Sequence, residues 1–113
     1  MKTYTGATGY VYQYYFVGKR PARPPEDPAI EFIFDVTADR KTTFATSVFL
    51  KPEAVRAWGS AHGRGLTETE QYAAAKMRLL RAFDEIETML EYGRRLVVDG
   101  ENIGDLLEPL GIG

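Results

Sequence analysis

No cysteine occurs in this chain, which removes disulfide staples, thiolate metal sites and cysteine nucleophiles at once. The absence does not fix a compartment, although small secreted domains more often carry disulfides. His62 is the only histidine, so a histidine-rich metal centre cannot form. No apolar run reaches the roughly eighteen residues that a membrane-spanning helix needs. Neither sign of charge dominates: 14 Lys and Arg face 16 Asp and Glu, a net charge of −2. Such a balance gives no global attraction to nucleic acid or to an anionic membrane, so any such binding has to be local. The opening MKTYTGATG has one Lys and no apolar stretch, so it does not read as a secretory signal. The expected compartment is the cytoplasm. There is no internal repeat, and proline is concentrated in one short loop.

What is present is ordinary globular material, 44% apolar and 27% charged over 113 residues. That predicts one domain spanning 1–113, with a single core. Three stretches alternate with the period of a β-strand: Tyr10–Val17, Ile30–Thr37 and Thr43–Leu50. Residues 1–9 are small and polar and are expected to fray. Residues 19–28 hold four prolines and read as an exposed, extended loop outside any central ladder. Ala38-Asp39-Arg40-Lys41 is a polar turn that makes the second and third strands a hairpin.

Helices follow the strands. Pro52 suits a first helical position, and a short helix to His62 should bury Ala54, Val55, Ala57, Trp58 and Ala61 before Gly63 stops it. Thr67-Glu68-Thr69-Glu70 matches a capping box and opens a long helix from Thr67 to about Tyr92. Tyr72, Ala75, Leu79, Ala82 or Phe83, Ile86, and Met89 or Leu90 form its sheet-facing stripe. Arg81–Glu85 and Glu91–Arg95 are spaced to pair across one turn. In the tail, 94–113, Arg95–Val98 reads as a short extra strand, and Asn102 as the cap of a helix through Glu108. The tail's leucines need cover from the domain or a neighbour. The order β-β-β-α-α predicts an α+β fold: an antiparallel sheet of three to four strands, two helices on one face, and a short docking segment.

Catalytic signatures are weak. Ser60 and His62 lie two apart on a helix and point apart, so they make no nucleophile–base pair. The carboxylates of the long helix (Asp84, Glu85, Glu87, Glu91) read as a solvated face. Gly63-Arg64-Gly65 lacks the ending of a phosphate-binding loop, and Asp99-Gly100-Glu101-Asn102 misses the calcium-loop spacing. No catalytic residue, metal or cofactor is indicated.

The sheet face turned away from the helices is the better clue. Val11, Tyr15, Val17, Ile33 and Phe49 alternate out of phase with the core set, so an apolar patch is expected there. Three occupants compete: a segment of the same chain, a second copy, or nucleic acid stacked on Tyr15 with Lys19, Arg20 and Arg23 on its phosphates. The last is similar to the logic of sheet-based RNA binders. However, the element order differs from the RNA-recognition motif, and acidic Glu26, Asp27, Glu31 and Asp35 lie close by. Met77 and Leu80 add a second apolar strip on the long helix, again suited to a partner. The expected function is a non-enzymatic interaction module, pairing with itself or another protein. The alternatives are a nucleic-acid module, and an enzyme or small-molecule binder without a sequence signature.

Overall fold

One amphipathic helix lying across alternating strands organises the molecule. The computed structural model describes residues Met1–Ile112. It contains β1 (Lys2–Thr5), β2 (Val11–Pro21), β3 (Ile30–Thr37), β4 (Phe44–Leu50), α1 (Pro52–His62), α2 (Glu68–Glu85), α3 (Met89–Tyr92), β5 (Arg95–Val98) and α4 (Ile103–Leu107), then a 3₁₀ turn at Glu108–Leu110. The strands form one sheet in chain order. The first three pairings are antiparallel, and β5 joins β4 in parallel. Parallel pairing is possible because the helices return the chain across one face between β4 and β5. The class is α+β, with five strands rather than three or four.

Ala75, Leu79, Ala82 and Phe83 of α2 are buried against Tyr12, Tyr14, Phe34, Val36 and Val48. Phe83 stacks on Tyr12 at 4.2 Å and 8°. Each ring so buried contributes on the order of 2–3 kcal/mol. The capping box is complete: Glu70 N–H donates to Thr67 Oγ1 at 3.1 Å, and Thr67 N–H donates to Glu70 Oε1 at 2.9 Å. Arg64 adds a two-pronged contact to the same carboxylate at 2.9 and 2.8 Å. At the end of α1, Gly63 takes the left-handed conformation, φ 71°, which a side chain would strain. His62 stacks on Trp58 at 4.1 Å, as a helix-end residue beside it should.

Several expectations need correction. Residues 1–9 are not frayed. Their first half is an edge strand, fastened where Asp84 accepts from Tyr4 Oη at 2.8 Å and from Ala7 N–H at 2.9 Å. The 19–28 loop starts late, because Lys19, Arg20 and Pro21 pair with β3. Proline is tolerated there because β1 covers only Val11–Tyr14 of β2, which leaves the rest of β2 an edge. Tyr10, the first residue of the expected Tyr10–Val17 strand, is half exposed before β2 begins.

The long helix ends at Glu85, since Ile86 turns extended. The break lets Met89 of α3 fold back into the core while Leu90 and Tyr92 stay outside. In α1 only Ala54 and Trp58 are buried; Ala57 and Ala61 are exposed, because one narrow stripe suffices for a helix at the sheet margin. Ion pairing also differs. Among the described residues neither Arg81–Glu85 nor Glu91–Arg95 forms a bridge, and Arg95 turns to Glu26 instead. The tail packs within its own chain, burying Leu96, Val98, Ile103, Leu106 and Leu107. Asn102 stands at the N-cap position of α4, but its side chain makes no capping bond; it takes Asp99 N–H at 2.9 Å and gives to Val97 O at 3.0 Å. No described helix is long and apolar enough to cross a membrane.

Candidate functional site

The register fixes which side chains face away from the helices. Gln13 lies opposite Thr37, Tyr15 opposite Asp35, Ile33 opposite Ser47, and Glu31 opposite Phe49. None of these apolar residues joins the helix-side core. Val11, Tyr15 and Val17 are 45%, 48% and 50% exposed, and Ile33 is half buried. Phe49 differs at 3%. The far end of the face is therefore covered by the chain itself, and Phe49 offers no docking surface. Met77 and Leu80 are half buried against the edge of the core, so the second strip of α2 is largely used internally.

A bulge at Val17 decides where the basic residues go. Phe16 pairs with Phe34 and Gly18 with Ile33, which leaves Val17 without a partner across β3. One extra residue exchanges the faces of everything after it. Lys19 comes to the helix side, with its Nζ 5.9 Å from the Phe32 ring and 3.8 Å from Glu68. Arg20 comes to the outer side, opposite Glu31. Arg23 sits farther along, in the proline loop. Lys19, Arg20, Arg23 and Tyr15 therefore do not form one basic, aromatic surface.

Arg20, Arg23, Glu26, Glu31, Phe49 and Arg95 do come together, around a hollow of about 480 Å³ whose rim includes Pro24 and Pro25. Glu31 is the buried charged member. Its carboxylate accepts from Arg20 Nε at 2.9 Å and from the Ser47 hydroxyl. Burial pushes its carboxyl up, but the hydrogen bonds from Arg20 and Ser47, with the charges of Arg20 and Arg95, outweigh that and hold it below its ordinary value. Arg95 lies over the Phe49 ring at 4.9 Å and pairs with Glu26. Sequence reading missed Glu31, Ser47 and Arg95 as a group. Alternation placed Glu31 outward, but nothing in the chain signals that Arg95 will arrive through a parallel fifth strand.

A second cleft of about 240 Å³ opens at the opposite end of the sheet, with Tyr10, Phe44, Met89 and Leu90 among its walls. Its Asp39 is occupied holding the β3–β4 turn, where Oδ1 accepts from Lys41 and Thr42 N–H at 2.8 Å each. Those backbone bonds hold the Asp39 carboxyl below its usual value. Among the described residues, no three His, Cys, Asp or Glu side chains converge as metal ligands.

The two sheet edges are unequal. Val97 O of β5 accepts from Arg78 Nε at 3.2 Å as well as from Asn102, so side chains occupy that edge. Comparisons with protein-family models, with curated proteins and with solved structures find no match.

Proposed function

We propose that this chain is a non-enzymatic interaction module that pairs with a second copy of itself through the middle of its outer sheet face. The observation that carries the reading is the strip of half-exposed Val11 and Tyr15 beside half-buried Ile33, on a face that no helix covers. Around it stand Gln13, Thr37 and Ala45, with Asp35 as the acid of the patch. A surface so nearly neutral does not ask for an oppositely charged partner. A narrow apolar strip along one strand can instead match itself about a two-fold axis. Nucleic acid is disfavoured because Lys19 faces the other side and Arg20 is engaged with Glu31. A cytoplasmic compartment goes with this reading as the default for a small domain without the disulfides that secreted domains more often carry.

Only a few hundred Å² per copy are on offer, which predicts a weak pair, micromolar or looser. Size-exclusion chromatography with light scattering over a dilution series tests it. A dimer that dissociates on dilution is expected, whereas a strict monomer at the highest concentration removes the proposal. Retardation of a single-stranded oligonucleotide at low salt, relieved by Arg23→Ala, would favour the nucleic-acid reading instead.

A further inference from the structure

We propose that the hollow beneath the proline loop binds a small apolar monocarboxylate, a function separate from pairing. Its walls supply three guanidiniums against two carboxylates, which leaves one positive charge over. The surplus lies with Arg23, which has no carboxylate partner among the described residues. Glu31 does not repel an incoming anion strongly, because Arg20 and Ser47 already hold its two oxygens. Arg20 uses only Nε on Glu31, so the terminal nitrogens of its fork remain to donate.

One surplus charge matches a carboxylate better than a phosphate monoester, which carries nearly two at neutral pH. Guanidinium forks also match the planar carboxylate in geometry. The apolar walls are Pro24 and Pro25 at the rim, with the Phe49 ring, largely covered by Arg95, at the base. They suit a hydrocarbon body attached to the acid. A volume of about 480 Å³ admits a ligand of that size.

Titration of the full chain with benzoate, followed by amide and arginine Nε–H NMR shifts, tests the site. Saturable shifts at Phe49, Arg23 and Arg95 are expected, with no such response to benzyl alcohol, the uncharged counterpart. Inorganic phosphate should bind more weakly than benzoate. Arg23→Gln, an exposed change with no ion pair to break, should weaken benzoate by about tenfold. The proposal is overturned if benzoate produces no saturable shift, if benzyl alcohol binds equally well, if phosphate binds more tightly, or if Arg23→Gln changes nothing. Repeating the titration on Tyr15→Glu, altered only on the pairing strip, separates this site from self-association: the same affinity is expected there, and loss of binding counts against an independent site.

Discussion

Tyr4 donates its hydroxyl to Asp84 Oδ2 at 2.8 Å, joining β1 to the last turn of α2. The other carboxylate oxygen takes Ala7 N–H, so one side chain fixes both β1 and the bend after it. Gly6 completes the joint, since a Cβ there would lie 2.4 Å from Phe83 O. Tyr4→Phe should cost about 1–2 kcal/mol, as a hydrogen bond to a charged group does. Asp84→Ala should cost at least as much and expose the amides of β1 to exchange while β3 and β4 stay protected. Hydrogen exchange that is unchanged at β1 in Asp84→Ala would refute this fastening.

How much of this was legible follows from where each signal resides. Periodicity is local, so β3, β4, α1 and the start of α2 could be read from their own residues, and the capping box fixed Thr67 to within one position. Lys2–Thr5 is too short to show a period; it is a strand by pairing with Val11–Tyr14, and what fastens it is Asp84, far away in the chain. The end of α2 has no glycine or proline at Ile86; only the burial of Met89 requires the break. At the candidate site, the exposure of Val11 and Tyr15 followed from alternation. The grouping of Arg20 with Glu31 did not, because a bulge inverts the alternation, and its one mark, Gly18, reads equally as the end of a strand.

Thr46 is fully buried between the sheet and the helices, and its hydroxyl has no hydrogen-bond partner. A buried hydroxyl left unpaired is costly, and valine has nearly the same shape without it. Thr46→Val should therefore stabilise the protein by about 1 kcal/mol. Urea denaturation would show a higher midpoint at unchanged slope. A lower midpoint would mean that the hydroxyl is satisfied, for example by a buried water.

Acid should unfold this protein partly through Glu70. The hydrogen bonds from Arg64, then the Thr67 backbone, lower its pKa from 4.5 to about 2. A folded pKa below the unfolded one means stability that is complete above about pH 4.5 and lost as pH falls toward about 2. Glu31 is displaced in the same direction and adds to the same limb. Glu70→Gln keeps the capping geometry but cannot ionise, so it should flatten the decline of the urea midpoint over that window. An equally steep decline in the variant would show that Glu70 is not linked to folding.

Tyr15 is the largest exposed side chain of the proposed pairing strip, and its partner across β3 is Asp35. Tyr15→Glu puts a second acid beside that one and removes the ring. Folding should be nearly unaffected, because exposed positions tolerate change to within about 0.5 kcal/mol. The dimer dissociation constant should rise by about tenfold or more, since charge at an apolar contact is desolvated on pairing. Light scattering that gives the same constant for both proteins would place the contact elsewhere.

The bulge at Val17 makes an unusual prediction about deletion. Removing one residue from a strand normally flips every later side chain to the opposite face. Here Val17 is the residue without a partner, so its loss would let Gly18 follow Phe16 directly while keeping Ile33 as its neighbour. Lys19 would stay on the helix side and Arg20 would remain opposite Glu31. Val17 is also half exposed, so little buried area is lost. Deleting Val17 should therefore leave a cooperative fold, at a cost of about 1–2 kcal/mol. Deleting Ile33 has no such slack, because β3 is paired on both sides without a bulge against β4. That deletion would turn either Phe32 or Phe34 out of the core and should abolish cooperative unfolding. Equal damage from the two deletions would show that the bulge does not set the face on which Arg20 lies.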